Sequence, residues 1–182
     1  MKNISFTGYR MIAKKHISHV LHQLQIILTL AVEAGYTDFY AGGAIGWDTY
    51  CAQMVLDLRQ DYPNIALHLV LPCSKEEQTE KWTTAQVNAY DTILMQADSC
   101  EFITEEYSKD CMRLRNRRLV KLADCIICYH KLTLSRSGTS QTLRLASQKG
   151  ISVINLSPDG TLFECDEELL SQICKKLFME GN

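Results

Sequence analysis

The sequence lacks the features of secreted, membrane-spanning and strongly basic proteins. Its formal net charge is only -2 at pH 7, so it has no general positive surface for wrapping duplex DNA or lying on an anionic membrane. The opening residues MKNISFTGYR contain no apolar signal core. The apolar-rich stretch 17–32 is interrupted by histidine, glutamine and threonine and is too short for a membrane span. We therefore expect a cytoplasmic protein with no membrane partner. This composition does not exclude a small local basic site.

Internal repeats, low-complexity tracts and linkers are also absent. A chain of 182 residues with 46% hydrophobic content is long enough to bury one substantial core. We expect a single domain over residues 1–182, with residues 158–182 as a C-terminal helical appendage after the turn Pro158-Asp159-Gly160.

The eight cysteines have irregular spacings that do not indicate a disulfide scaffold. Cys125 and Cys128 form a CxxC within an apolar run, which favours core packing over redox or zinc chemistry. His16, His19 and His22 recur every three residues, a spacing that rotates around a helix, and no carboxylate lies nearby in the sequence. We predict no metal and no cofactor.

Apolar runs alternate with longer amphipathic segments along the chain. Strands are predicted at 3–7, 37–41, 66–72, 100–104, 124–129 and 151–156, and helical segments at 12–34, 47–60, 75–97 (interrupted), 108–123, 139–149 and 166–179. Residues 131–138 are expected to form a loop. Short apolar strands between helices of ten or more residues are typical of βαβ units. The pattern predicts a Rossmann-like three-layer α/β/α sandwich with a mostly parallel sheet.

Candidate binding residues lie around the ends of the predicted strands, because ligands of open parallel sheets bind at the carboxyl ends of the strands. Gly8, Tyr9 and Arg10 follow the first strand, where glycine permits close approach and arginine offers a planar set of donors. The other candidates are Gly42, Gly43, Gly46, Asp48, Pro72, Trp82, Arg115, Asn116, Ser137, Gly138 and Thr139.

The glycine loop GGAIG precedes a predicted helix, and a phosphate is the expected guest of such a loop. Its spacing is not that of a dinucleotide GxGxxG, and it lacks the lysine of a P-loop. Asp48 has two open interpretations, as a helix cap or as an acceptor for a ribose hydroxyl or a base. Two interpretations are likewise open for Trp82, Trp47 and Tyr9, which could pack in the core or stack on a base.

Three segments together resemble the SLOG superfamily, namely GYR at 8–10, GGAIGWD at 42–48 and the stretch 115–156. The last is similar to the segment of DNA-processing protein A that runs from an Arg-Asn helix to a Ser-Gly-Ser/Thr loop. Within the superfamily the chain is most similar to the YpsA-like family of bacterial and phage proteins. The resemblance implies a nucleotide-derived ligand, such as an ADP-ribose-like molecule, an NAD-derived molecule or a nucleotide sugar, at the loops listed above.

One departure from the superfamily bears on activity. Phosphoribohydrolases of the related LOG type carry a glutamate that assists cleavage of the N-glycosidic bond, and Thr142 stands at that position here. Acid-base catalysis needs a titratable group at the reacting centre. Asp48, Glu105 and Glu106 are the other carboxylates near the predicted site, and the sequence does not place them. Whether the protein is an enzyme therefore stays undecided.

Three functions of different classes follow. The preferred one is binding or sensing of a nucleotide-derived small molecule. The first alternative is a nucleotide-processing hydrolase of the phosphoribohydrolase or N-glycosidase type. The second is binding of single-stranded DNA, since MRLRNRRLVK (112–121) contains five basic residues but no interleaved aromatics. A homodimer is open in each case.

Overall fold

The computed structural model of the chain describes residues 2–131 and 136–180. The described residues form six strands: β1 (Lys2–Gly8), β2 (Tyr36–Ala41), β3 (Ala66–Leu71), β4 (Ser99–Phe102), β5 (Cys125–Tyr129) and β6 (Ser152–Asn155). They also form seven helices: α1 (Lys14–Glu33), α2 (Trp47–Leu58), α3 (Lys75–Thr79), α4 (Thr84–Gln96), α5 (Cys111–Leu122), α6 (Gly138–Gln148) and α7 (Glu167–Glu180). Residues 132–135 of the predicted loop and 181–182 of the predicted appendage lie outside the described residues.

The strands form one parallel sheet in the order β4-β3-β2-β1-β5-β6. The chain extends the sheet from β1 to β4 in one direction, then returns to place β5 on the other side of β1. This reversal creates a crevice beside the carboxyl ends of β1 and β5, where doubly wound folds bind their ligands. The prediction of a Rossmann-like fold is confirmed.

Successive side chains of β5 point to opposite faces of the sheet. Cys125 and Ile127 belong to the main core, which also contains residues of α1, α2 and α7, whereas Ile126 and Cys128 pack in a smaller cluster with α5 and α6. Both cysteines of the CxxC are fully buried, so their predicted role in core packing is confirmed. Trp47 is also fully buried and donates its Nε1–H to the Ile127 carbonyl at 3.3 Å, which makes it a core residue.

The segment predicted at 75–97 divides into α3 and α4. A capping box starts α4: the Thr83 hydroxyl accepts the Gln86 N–H at 3.3 Å, and the Gln86 side chain accepts the Thr83 N–H at 2.9 Å. A residue that caps one helix cannot continue the preceding one, so the break follows from these two side chains.

The C-terminal segment packs on α1. Phe163 and Phe178 belong to the main core, and Gln23 donates to the carbonyls of Leu162 and Phe163 at 2.8 and 3.1 Å. His19 also contacts the Phe163 carbonyl, at 2.6 Å. Within the described ranges, no helix is long and apolar enough to cross a membrane.

Candidate functional site

A cavity of about 330 Å³, here called the inner cavity, opens at the carboxyl edge of the sheet. The end of β1, the start of α2, one face of α5 and the first turn of α6 enclose it. Its lining consists of Thr7, Gly8, Tyr9, Arg10, Ala44, Asp48, Met112, Arg115, Asn116, Ser137, Gly138 and Thr139. The fold thus assembles residues from four separate stretches of the chain.

At the back of this cavity, the glycine loop contacts the side chains of Asp48 and Arg115. The Asp48 carboxylate accepts the N–H of Ala44 at 3.3 Å and the backbone N–H of Gly42. The Arg115 side chain lies against Gly42, where a Cβ atom would collide with its guanidinium. A carboxylate of the chain thus already accepts hydrogen bonds from two N–H groups of the loop in which the sequence predicts a phosphate.

Asp48 and Arg115 form a buried ion pair. Arg115 Nη1 lies 3.2 Å from Asp48 Oδ2, and 4% of the Asp48 side chain is exposed. Burial raises the pKa of the Asp48 carboxyl, while Arg115 and the two backbone N–H groups oppose that rise. Asp48 lies in the first turn of α2, but no side chain caps that helix. Its carboxylate therefore anchors the glycine loop and α5.

Arg115 retains an unused donor. Its residue is 9% exposed, and its buried Nε–H has no hydrogen-bond acceptor in the part of the chain that the structure describes. A buried donor without an acceptor costs on the order of 1–3 kcal/mol. A ligand that supplies an acceptor, or an ordered water, would recover that cost.

The first turn of α6 faces the same cavity. The Ser137 hydroxyl accepts the N–H of Ser140 at 3.0 Å and caps the helix, while Asn116 donates to the Gly138 carbonyl at 3.3 Å. The first N–H groups of a helix have no acceptor within the helix and carry partial positive charge. Together with Arg115, this helix end forms an environment suited to an anion.

Tyr9 forms the wall next to β5. Its hydroxyl lies 2.9 Å from Nδ1 of His130 and donates to the Lys131 carbonyl at 3.1 Å. Burial lowers the pKa of His130, which favours its neutral form. Asn155 and Ser157 contact the His130 backbone at 2.6–3.0 Å. The ring of Tyr9 is thereby fixed at the edge of the cavity.

The remaining predicted residues are not in the lining described for the inner cavity. Gly42, Gly43 and Gly46 shape the loop behind it, and Gly46 is the N-cap residue of α2. Pro72 is buried, and its carbonyl accepts the Thr104 hydroxyl at 2.8 Å. Trp82 lies elsewhere, in a second cavity of about 850 Å³.

That second cavity, here called the outer cavity, is adjacent to the inner one. Arg10 and Met112 line both. The rest of the outer lining consists of Ile45, Glu76, Glu77, Gln78, Glu80, Lys81, Trp82, Gln86 and Tyr107. Trp82 is half-buried, and its ring meets Tyr90 edge-on at 5.7 Å between centroids. Trp82 therefore packs against Tyr90 and also lines the outer cavity.

Three residues that line the inner cavity, Thr7, Ala44 and Met112, are not among the candidates selected from the sequence, although Thr7 and Ala44 adjoin selected residues. Thr7 precedes Gly8 at the end of β1, and Met112 lies three positions before Arg115 on the same face of α5. Both positions could have been found from these spacings. Ala44 carries no such signal, because only the folded loop turns it toward the cavity.

Position 142, where phosphoribohydrolases of the LOG type carry their catalytic glutamate, holds a threonine. Thr142 is buried and donates its hydroxyl to the Gly138 carbonyl at 3.0 Å. Among the described lining residues, Asp48 is the carboxylate of the inner cavity, and it is committed to Arg115 and the glycine loop. Over residues 2–131 and 136–180, no group of three or more potential ligands could hold a metal ion.

The basic run of α5 does not form one positive surface. Arg113 and Arg118 make ion pairs with acidic neighbours at 3.0 Å, and Arg115 is buried. Arg117 and Lys121 are exposed. The helical geometry thus distributes the five basic residues among the surface, the core and the cavity.

Three findings relate the chain to other proteins. A UPF0398 protein of Bacillus pumilus (strain SAFR-032) is 26% identical over 139 residues, which cover 71% of this chain and 74% of that protein. DNA processing protein A from Streptococcus pneumoniae has a similar fold, with a TM-score of 0.61 and 21% identity. The similarity covers 99% of this chain and 56% of the pneumococcal one, so this chain spans little more than half of that protein's length.

The homologous protein from Helicobacter pylori, whose structure concerns a single-stranded DNA binding mode, also has a TM-score of 0.61 and 21% identity. The similarity covers 95% of this chain and 73% of the Helicobacter pylori chain. Similarity at this level of identity establishes the shared fold. Membership is established by the sequence itself, since the family model described as "YspA SLOG family" matches residues 4–154. The chain therefore belongs to the YpsA family of SLOG proteins.

Proposed function

We propose that this protein is a cytoplasmic sensor that binds a nucleotide-derived small molecule in the inner cavity. The observation that carries the proposal is the buried, unused Nε–H of Arg115 in a cavity that also contains the first turn of α6. These two features offer hydrogen bonds and positive potential to the same guest. A phosphate or pyrophosphate group matches both.

The rest of the lining suits the uncharged parts of a nucleotide. The Thr7, Ser137 and Thr139 side chains and the Asn116 amide can hydrogen-bond ribose hydroxyls, and Tyr9 offers an aromatic ring. A volume of about 330 Å³ lies at the small end of ordinary ligand pockets. It suits a nucleoside diphosphate or the equivalent half of a larger molecule.

The first test is a thermal-shift and calorimetry screen of the purified chain against ADP-ribose, NAD+, AMP, ATP and nucleotide sugars. A ligand at a hundred times its dissociation constant should add about 2.7 kcal/mol to the stability. Chromatography of each mixture shows whether the ligand is altered. An intact, stabilising nucleotide supports the proposal, products indicate the hydrolase alternative, and no stabilisation by any nucleotide contradicts both.

Arg10→Ala tests the location of the site. Arg10 is exposed and lines the cavity, so its loss should weaken nucleotide binding by about tenfold while leaving the fold intact. Arg144→Ala is the matched control, since Arg144 is an exposed arginine of α6 outside the described lining of both cavities. Equal effects of the two substitutions would remove the inner cavity from the proposal.

Single-stranded DNA is the second candidate, supported by the fold shared with the Helicobacter pylori protein and by exposed Arg117 and Lys121. Binding of this kind weakens steeply with salt. A fluorescent oligothymidylate should then bind the wild-type chain and bind Arg117→Ala/Lys121→Ala less tightly. Binding of the oligonucleotide with no response to any nucleotide would favour this candidate over the sensor.

A further inference from the structure

Three neighbouring strands place an aspartate, a histidine and a serine side by side on one face of the sheet. His68 of β3 is in register with Tyr40 of β2 on one side and with Ser99 of β4 on the other. Asp38 lies two positions before Tyr40, so its side chain is on the same face. None of Asp38, His68 and Ser99 is in the lining described for either cavity. This cluster is therefore separate from the candidate nucleotide site.

Hydrogen bonds connect the three side chains in a defined direction. His68 Nε2 lies 3.0 Å from Asp38 Oδ1, and His68 Nδ1 lies 2.7 Å from the Ser99 hydroxyl oxygen. Because a carboxylate accepts and does not donate, the proton of the neutral imidazole lies on Nε2. Nδ1 is then an acceptor, and the Ser99 hydroxyl donates to it. A serine that donates to a histidine held by an aspartate is the arrangement of an activated nucleophile.

The histidine and the aspartate are both held in place by further contacts. The second carboxylate oxygen of Asp38 accepts the Thr37 hydroxyl at 2.6 Å. The Tyr40 ring stacks on the imidazole of His68 with 4.7 Å between the ring centroids. The side chains of Asp38 and His68 are 15% and 17% exposed, whereas Ser99 is exposed. The base is thus largely shielded from water, and the nucleophile is accessible.

The edge of the sheet offers a hydrogen-bond donor at the serine itself. β4 is the last strand of the described sheet on this side. The Asp98 N–H donates to the Leu67 carbonyl of β3 at 2.8 Å. Because successive N–H groups of a strand point to opposite sides, the Ser99 N–H points to the edge that no described strand covers. A backbone N–H at the nucleophile is the type of donor that stabilises the oxyanion of acyl transfer.

We propose that Ser99 is the nucleophile of an ester-cleaving site in which His68 is the general base and Asp38 positions the imidazole. The Ser99 oxygen forms a bond to the carbonyl carbon of a carboxylic ester, and its proton moves to His68 Nδ1. The tetrahedral intermediate expels the alcohol, which takes that proton and leaves the acyl group on Ser99. Water, which gives its proton to the same nitrogen, then releases the carboxylic acid and restores the serine.

A carboxylic ester is the acyl donor that suits this position. Ser99 lies on an open strand and outside the described linings of both cavities, so contacts with remote parts of a substrate contribute little to the reaction. The bond to be cleaved must then be a reactive one, and an alcohol leaves an acyl group more readily than an amine does. The site goes beyond the proposed nucleotide binding and does not depend on it.

A fluorophosphonate probe tests the proposal, because an activated serine displaces its fluoride and keeps the phosphonyl group. We expect the wild-type chain to carry the adduct on Ser99, located by mass spectrometry of the digested protein. Ser99→Ala should abolish this adduct. His68→Gln should slow labelling about a hundredfold, which is the lower end of what general base catalysis contributes. Asp38→Asn should slow it as well, and hydrolysis of p-nitrophenyl acetate should decrease in parallel in all three variants.

Two control variants separate the cluster from ordinary surface chemistry. His22→Gln removes another histidine–carboxylate pair, in which His22 Nε2 lies 2.8 Å from Glu167 Oε1 on the surface. Cys100→Ala removes the exposed thiol that follows Ser99 in β4. Both variants should keep the wild-type labelling rate. Thermal unfolding of each variant separates loss of reactivity from loss of the fold.

Absence of an adduct on Ser99 in the wild-type protein would overturn the proposal. Equal labelling rates in the wild type and in folded His68→Gln would overturn it too, since the hydrogen bonds would then only link the strands. Ser99 is exposed, so Ser99→Ala is expected to fold even if His68→Gln destabilises the sheet. Ester hydrolysis that Ser99→Ala leaves unchanged would also contradict the proposal. Nucleotide binding by the same variants should be unaffected, so the proposed function is tested separately.

Discussion

Arg115 and Asp48 are joined across the centre of the candidate site, with Arg115 Nη1 3.2 Å from Asp48 Oδ2. The pair connects α5 to the glycine loop, because Asp48 also accepts the N–H of Ala44. It leaves Arg115 Nε without an acceptor among the described residues. The same contact thus stabilises the fold and places an unused donor beside the cavity.

Removing the arginine should leave Asp48 as a buried, unpaired carboxylate. We expect Arg115→Met to lower the free energy of unfolding by about 3 kcal/mol at neutral pH, because breaking one side of a buried ion pair is strongly destabilising. Urea unfolding followed by circular dichroism measures this change. Arg115→Met/Asp48→Asn should recover part of the loss, since it removes the stranded charge. A double variant as unstable as the sum of both single variants would contradict this coupling.

The protonation of Asp48 should make stability depend on pH. Burial raises the pKa of the Asp48 carboxyl in the folded protein, so the folded state binds this proton at a higher pH than the unfolded chain. The stability contributed by protonation is present below the unfolded pKa and is lost as pH rises through the folded pKa. Between neutral pH and about pH 4, the unfolding free energy of the wild type relative to Asp48→Asn should therefore increase as pH falls.

Urea unfolding of both proteins at several pH values checks this sign, with Asp61→Asn at an exposed aspartate as the control. A difference that stays constant with pH would show that the pKa of Asp48 is not raised. A difference that decreases as pH falls would show that Arg115 lowers that pKa more strongly than burial raises it.

Gly43 should be less tolerant of a side chain than Gly35, which also has a positive φ. Its φ is 65°, and a Cβ atom there would collide with the Leu71 side chain. Gly35 has a φ of 88° with no atom within 4 Å of the added Cβ. We expect Gly35→Ala to cost about 1 kcal/mol through backbone strain and Gly43→Ala to cost about 2–3 kcal/mol through strain and overpacking. Thermal unfolding of both variants measures the difference, and equal losses would contradict a packing role for Gly43.

The last helix should contribute to the stability of the whole domain. Phe178 is 1% exposed and meets Tyr36 edge-on at 5.1 Å, whereas the neighbouring Met179 is 71% exposed. Phe178→Ala should lower the free energy of unfolding by about 3 kcal/mol through cavity formation. Met179→Ala should change it by less than about 0.5 kcal/mol. A single cooperative transition in the wild type, shifted in Phe178→Ala, is the expected observation in a urea titration.

The fold could be predicted because its signals are local and repeated. The apolar run before Pro72 predicts β3 over 66–72, and the structure has it at Ala66–Leu71. The helix predicted at 108–123 begins three residues later, at Cys111. The break between α3 and α4 depends on two hydrogen bonds of Thr83 and Gln86. A few side-chain contacts therefore decide where an element begins, whereas periodicity decides its existence.

The candidate site was only partly predictable from the same sequence. Arg10 was found because it follows the first predicted strand, whereas Arg115 and Ser137 were also indicated by the SLOG resemblance of the stretch 115–156. Trp82 was grouped with them, but it lies in the outer cavity. Position along the chain assigns a residue to an edge of the sheet without specifying which part of that edge it reaches.

The sequence by itself determined the alternation of strands and helices, the SLOG resemblance and the absence of the phosphoribohydrolase glutamate. Only the tertiary structure decided what the glycine loop holds, because Asp48 and Arg115 are 67 positions apart and meet where α2 and α5 both pack against the sheet. It also decided that Arg10 belongs to two adjoining cavities. Hydrogen bonding and burial act between neighbours in space, and those neighbours are set by the packing of the whole chain.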